Sequence, residues 1–282
     1  MAGVTALPTG RQIELAHGGQ RATVVEVGGG LRSYTAGDRA ILAGFGERDM
    51  CHGARGQVLM PWPNRITGGR YTFDGTDYQL DITEPARTTA IHGLVRWDAW
   101  TVVNAASDRV LLTHRLHPQP GYPFSLDLSV EYVLALDGLT VRAQATNIGP
   151  DACPFGAGFH PYLAPDTSTV NGTVLALPAK QPSDFLVPRP VGDAELDTCF
   201  TDLQRDDGGI ARVQFGETTL WVDHAFDYLM VFSADTLAPA ERRRSLAVEP
   251  MTCAPDAFNT GAGLLVLAPG QTWTGVWGIN PP

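Results

Sequence analysis

Apolar and polar residues alternate along most of this chain with a period of two, in short runs broken by Gly, Pro, Asp and Asn. Side chains of an extended chain point alternately to its two faces, so this pattern predicts strands with one face buried. The clearest runs are 126–136 and 139–146, rich in Leu and Val and joined at Asp137-Gly138 as a hairpin. A second hairpin is predicted for 70–73 and 78–82 around Asp74-Gly75. Further strands are expected at 13–16, 22–27, 31–34, 40–42, 100–104 and 109–115. Others follow at 211–215, 218–222, 228–233, 245–249, 263–267 and 272–279. No stretch repeats its apolar residues at the helical spacing over a useful length. The expected class is therefore all-β, a large antiparallel β-sandwich of two sheets packed face to face. With no repeat, no low-complexity tract and no break in composition, residues 1–282 are expected to form one domain.

Several stretches interrupt the alternation. In Met60-Pro61-Trp62-Pro63-Asn64-Arg65-Ile66 two prolines flank a tryptophan, which predicts a stiff loop presenting Trp62, Asn64 and Arg65 outward. Ile91-His92-Gly93-Leu94-Val95-Arg96-Trp97 and Cys153-Pro154-Phe155-Gly156-Ala157-Gly158-Phe159-His160-Pro161-Tyr162 also set polar side chains among rigid or aromatic neighbours. Residues 180–193 hold three prolines and read as an ordered surface excursion, closed by 196–200. At Glu249 an apolar run meets Pro250, which has no N–H for a ladder, so the strand is expected to stop at Glu249. A carboxylate held there against apolar neighbours is partly desolvated and suits a general base. On this stretch alone, a surface Glu at a strand end is the plainer reading.

Composition narrows the classes. Of 282 residues 44% are hydrophobic, which is ample for a core, and Gly 31 with Pro 21 fits a chain of many turns. A net charge of -10 with Lys+Arg 20 scattered argues against a nucleic-acid partner, which needs a basic face. Cys51, Cys153, Cys199 and Cys253 have neither zinc nor redox spacing and are expected as free buried thiols. Residues 1–12 lack a basic region followed by an apolar core, and no run reaches membrane-spanning length. The expectation is a soluble cytoplasmic protein with no membrane partner.

Asn64 with Arg65, His92 with Arg96, His160, Asp197 and Glu249 all lie in stiff or sharply ended segments, with Trp62, Trp97, Phe159 and Tyr162 beside them. Aromatic faces next to hydrogen-bonding side chains suit a sugar, and histidines with a carboxylate suit proton transfer. In the same order, Pro-Trp-Pro-Asn-Arg-Ile at 61–66, His-Gly at 92–93, Gly-Phe-His-Pro-Tyr at 158–162, Leu-Asp at 196–197 and Glu-Pro-Met-Thr-Cys-Ala-Pro-Asp-Ala-Phe-Asn at 249–259 resemble the aldose 1-epimerase (galactose mutarotase) family. The resemblance spans nearly the whole chain. It implies the family's supersandwich and the interconversion of α and β anomers of an aldose without a cofactor or metal. It also implies Glu249 as catalytic base and His160 as catalytic acid. Arg65, His92 and Asp197 would bind the sugar, with Asn64 supporting Arg65. Around His92 the chain reads His-Gly-Leu-Val-Arg-Trp and lacks the longer glycine-rich loop of galactose-specific members, which leaves the sugar open.

The chemistry matches those residue types. Ring opening removes the anomeric hydroxyl proton and protonates the ring oxygen, and a carboxylate and a histidine on opposite sides of the bond can do both. A histidine of reference pKa about 6.5 can start as the acid. Arg96, with Trp97 beside it, is either a surface arginine or a clamp for a phosphorylated or sulfonated sugar. Asp223 competes with Asp197 for the sugar. A non-catalytic carbohydrate-binding module would need the aromatics but not the acid–base pair. A two-His-one-carboxylate metal oxygenase would need a compact ligand run that these scattered positions do not offer. His52, His114 and His117 read as ordinary surface or loop residues, Arg242-Arg243-Arg244 as a solvated run, and Asp256 as a bond to its own loop. The expected partner is a monosaccharide, and the expected state a monomer or homodimer.

Overall fold

The computed structural model describes residues 6–282. The expectation of no leader at 1–12 therefore falls in part on 1–5, outside the described residues. The long alternating runs assemble into a nine-stranded antiparallel sheet. Its order is Thr101–Ala105, Arg109–Leu116, Leu126–Ala135, Gly138–Asn147, Thr272–Asn280, Thr218–Val222, Ala211–Phe215, Val174–Ala176 and Arg189–Pro190. Within Leu126–Ala135 every second residue is buried, as a half-covered strand requires. The turn at Asp137-Gly138 needs its glycine: Gly138 has φ 136°, and a Cβ there would sit 2.2 Å from the Ile279 carbonyl oxygen.

A second sheet runs Ala179–Gln181, Asp197–Leu203, Tyr228–Phe232, Leu246–Met251, Gly158–Phe159 and Val58–Leu59, with Tyr162–Leu163 also paired to Leu246–Met251. The two sheets pack with their apolar faces together. Phe159 of one meets Trp277 of the other at 5.2 Å between ring centres. A four-stranded sheet made by Gln12–His17, Gln20–Val25, Leu31–Ala36 and Arg39–Ala40 completes the expected all-β architecture. The one α-helical turn among the described residues is Ala257–Thr260, and none of their helices is long and apolar enough to cross a membrane.

Three local expectations change. The strand bearing Glu249 does not stop there but runs Leu246–Met251 through Pro250. The amides of Val248 and Thr252, on the same edge as Pro250, donate to Pro161 and Ala157. Pro250 lies between them where the neighbouring chain breaks between Phe159 and Tyr162, so its missing N–H costs no ladder bond. Trp62 points inward, 2% exposed, against Phe258 and Tyr122, because a large aromatic ring is worth more buried than presented. The 180–193 excursion is anchored by the buried Phe185 and Val191 and contributes Arg189–Pro190 to the large sheet.

Candidate active site

The outer face of the second sheet is the floor of a cleft of about 440 Å³. Register builds that floor. The pairs Gly158↔Met251 and Tyr162↔Ala247 share one alignment, and counting inward from either sets His160 directly opposite Glu249. Across the other edge Glu249 faces Met230. One pleat further along the same face, Asp197 pairs with Phe232, Phe232 with Ala247, and Ala247 with Tyr162. Residues directly opposite on antiparallel strands share a face, with Cβ atoms about 5 Å apart. His160, Glu249, Met230, Phe232, Tyr162 and Asp197 thus line the cleft. The alternate row of Phe159, Val248 and Val231 is buried in the sandwich.

His160 Nε2 lies 3.3 Å from Glu249 Oε1, with both residues almost wholly buried. His160 Nδ1 and Glu249 Oε2 have no hydrogen-bond partner. Burial holds Glu249 well above the usual carboxylate range; the nearby Asp197 adds to this and Arg65 opposes it. Burial likewise pushes His160 down to about 3, with Arg55, Arg96 and Arg65 contributing through their positive charge. Both shifts run toward the uncharged forms, a neutral imidazole beside a carboxyl that holds its proton more firmly than usual. A separation of 3.3 Å leaves no room for a ring between the two groups. Any ring-shaped ligand touching both must lie against them from the cleft side.

One wall comes from residues 60–67 and 83–96, where Arg65–Thr67 pairs antiparallel with Thr89–Ile91 between loops. Asn64 and His92 both have positive φ, 54° and 64°, which a β-branched or ordinary side chain avoids. They are tied reciprocally: the Asn64 amide donates to His92 Nδ1 at 3.2 Å, and the His92 amide donates to the Asn64 carbonyl at 2.8 Å. Accepting at Nδ1 leaves neutral His92 with its proton on Nε2. Burial, followed by the charges of His160, Arg96 and Arg65, keeps this ring well below its ordinary pKa. Asn64 Oδ1 also accepts the amide of Arg65, so Asn64 shapes the wall rather than reaching for a ligand. Arg65 makes a two-pronged bond to Glu84, Nε at 2.7 Å and one Nη at 3.0 Å. Arg87 continues the network, 3.9 Å from Glu84 and 3.7 Å from Asp197. Arg96 also lines the cleft, but no hydrogen bond or ion pair engages its guanidinium among the described residues; it lies over the Trp97 ring at 5.3 Å.

The cleft thus gathers Asn64, Arg65, His92, Arg96, His160, Asp197 and Glu249. Trp97 lies outside it, 45% exposed, with its ring under Arg96. Asp223 is elsewhere, accepting the amides of Ala225 and Val276. Asp256 reaches beyond its own loop to the amide and hydroxyl of Thr67. His114 pairs with Asp98 at 3.3 Å, and His52 pairs with Glu241. Arg243, expected to be solvated, is mostly buried and donates to Asn171, Gly192, Ala194 and Asp235. The residues that sequence reasoning missed are Glu84, Arg87, Met230 and Phe232. Met230 and Phe232 follow from alternation once the register to Glu249 is known. Glu84 and Arg87 lie in a polar loop without periodicity. No three His, Cys, Asp or Glu side chains among the described residues are grouped so as to hold a metal ion.

Residues 11–279 match the model of the family described as aldose 1-epimerase. The chain is 36% identical over 287 residues to the "Uncharacterized protein YihR" of Escherichia coli strain K12, covering 93% of this chain and 91% of that protein. Among solved structures it resembles the GalM/aldose epimerase homologue from C. elegans, with TM-score 0.82 and 19% identity over 96% of this chain and 99% of that one. It also resembles galactose 1-epimerase from Lactobacillus acidophilus NCFM, with TM-score 0.78 and 15% identity over 96% and 94% of the two chains. At those identities the structural likeness speaks for the fold.

Proposed function

The chain belongs to the aldose 1-epimerase family, and from that premise we propose that it is a mutarotase, interconverting the α and β anomers of a hexose. The observation that carries this reading is the contact of His160 with Glu249 on the floor of a sugar-sized cleft, each with one buried polar atom unpartnered. The anomeric hydroxyl oxygen and the ring oxygen are both bonded to C1, so two groups in mutual contact can serve both. In the family's assignment Glu249 takes the hydroxyl proton while His160 protonates the ring oxygen. Because burial disfavours the charged form of each group, that assignment needs a proton on the imidazole rather than on the carboxyl when the ring opens. A sugar hydroxyl donating to Glu249, with Arg65 nearby, favours the ionised carboxylate and hence that arrangement. Rotation about C1–C2 and reclosure with the roles exchanged yields the other anomer. Acid–base assistance of this kind supplies about two to four orders of magnitude in rate.

Polarimetry on freshly dissolved α-anomers of several aldoses tests the reading. Acceleration by the native protein, reduced by about 100-fold or more in a folded Glu249→Gln variant, is expected. Unaccelerated drift with intact sugar binding would instead identify a carbohydrate-binding module.

A second reading is favoured by one observation. The unpaired guanidinium of Arg96 in the cleft would suit a hexose with a phosphate or sulfonate substituent. Comparing glucose and galactose with their 6-phosphates separates the two readings. A strong preference for the phosphates, abolished in Arg96→Ala, would replace the neutral sugar.

A further inference from the structure

Behind the imidazole of His160 lies a stack that the acid–base chemistry above does not use. The ring of Tyr162 is parallel to that of His160, with 4.9 Å between centres and 10° between planes. The guanidinium carbon of Arg55 also lies over the Tyr162 ring, 4.2 Å from its centre. Arg55 is 6% exposed, and its Nη1 has no hydrogen-bond partner. Its one ionic contact among the described residues is Glu241, 3.5 Å from Nη2, and Glu241 is shared with His52. Tyr162 is itself fixed by donating its hydroxyl to the Gly53 carbonyl at 3.0 Å. The arrangement is tight: a Cβ on Gly53 would lie 3.1 Å from both Arg55 Nη1 and the Tyr162 oxygen.

A guanidinium buried with a free N–H is costly, and retaining one here calls for a role. We infer that Arg55 is a positioning residue for the acid–base pair: stacked on Tyr162, which itself stacks on His160, it holds a fixed positive charge near the imidazole and disfavours the imidazolium. The other charged or titratable groups facing His160 are Glu249 from the adjacent strand, the edge-on ring of His92, and Arg65 and Arg96 from the wall. Of these, Glu249 is the pair's other member. Arg65 is neutralised by Glu84, and the His92 ring is neutral. Among the described residues Arg55 and Arg96 both lack a close counter-ion, but only Arg55 stacks on the ring that itself stacks on His160, whereas Arg96 lies over Trp97. Its counter-ion, Glu241, belongs to the segment at 234–244, which also supplies Thr236 and Leu237 to the cleft rim. Rim and proton balance are thereby linked through one ion pair.

This role rests on the mutarotase reading, but its test does not. The ring of His160 can be followed by NMR of histidine-labelled protein, assigned by its loss in His160→Gln. Arg55→Met keeps the stacked alkyl chain and removes the charge, with Arg55→Gln as a second neutral replacement. Both are expected to raise the pH at which the His160 ring protonates by about one unit. Arg55→Lys is expected to leave it near the native value. Glu241→Gln, which strips Arg55 of its counter-ion, must not raise it. The acidic limb of the kcat/KM profile moves with the ring. A ring that stays neutral over the same pH range in both neutral variants as in the native chain overturns the inference. So does a rise in Glu241→Gln, or a rise in Arg55→Lys equal to that in Arg55→Met. If native protein gives no acceleration in polarimetry, the function fails while the titration still decides the role of Arg55.

Discussion

At the scale of single residues, His160 and Glu249 hold protons differently from their free forms, and this has a thermodynamic signature. Glu249 is raised in the folded state, whereas an unfolded Glu titrates near about 4.3. Between that value and its folded pKa, the native state binds more protons than the unfolded state, so Glu249 lowers stability as pH rises through the window. His160 is depressed to about 3 from an unfolded value near about 6.5. Its contribution is fully present above about 6.5 and is lost as pH falls toward 3. From about 4.3 upward, as far as the two windows overlap, the slopes oppose one another. Urea unfolding across pH is therefore expected to show Glu249→Gln gaining on the native chain above about pH 4.3, by up to about 1.4 kcal/mol per pH unit. A difference independent of pH would mean that Glu249 is ionised in the fold. His92 offers a simpler check. Truncation to Ala leaves the buried Asn64 amide without its acceptor and a non-glycine residue at φ 64°, so a loss of about 1–3 kcal/mol in urea midpoint analysis is expected.

At the scale of elements, the strands were readable because alternation is a local signal. The runs at 211–215 and 218–222 coincide with Ala211–Phe215 and Thr218–Val222, and the 126–146 hairpin differs by a residue at its ends. Proline was the misleading cue. Its missing N–H predicts a strand end only where a partner needs that N–H, and next to Pro250 none does. Glu84 and Arg87 were illegible for a different reason: their role depends on a tertiary meeting with Arg65 and Asp197 that leaves no periodic trace. Arg243 is the same case. Read as one of three solvated arginines, it ties the 234–244 segment to carbonyls at Gly192 and Ala194 and to Asn171. Arg243→Ala strands those buried acceptors and is expected to cost about 1–3 kcal/mol. Limited proteolysis should then nick 234–244 faster than in the native chain, and unchanged cleavage would show that the tie is redundant.

At the scale of the whole molecule, a chain of net charge -10 places Arg65, Arg87 and Arg96 in one cleft with Glu84 and Asp197. For a neutral hexose this balance implies little dependence on ionic strength. Raising salt from about 0.05 M to about 0.5 M shortens the screening length several-fold but should leave KM for the neutral sugar unchanged. A KM that climbs with salt for a 6-phosphate, and not for the parent sugar, would be the mark of Arg96 engaging an anion. The register that sets His160 across from Glu249 constrains how such a protein can vary. Adding or deleting one residue in the strand of Glu249 would turn the carboxyl into hydrocarbon and bring a neighbour such as Val248 into the cleft, and the same change at 158–162 would turn His160 inward. The His160–Glu249 pair can therefore change by substitution but not by insertion or deletion, whereas the loops at 83–88 and 234–244 carry no such parity. Changes in chain length are thereby channelled into those loops, which can reshape the rim while the floor of the cleft stays put.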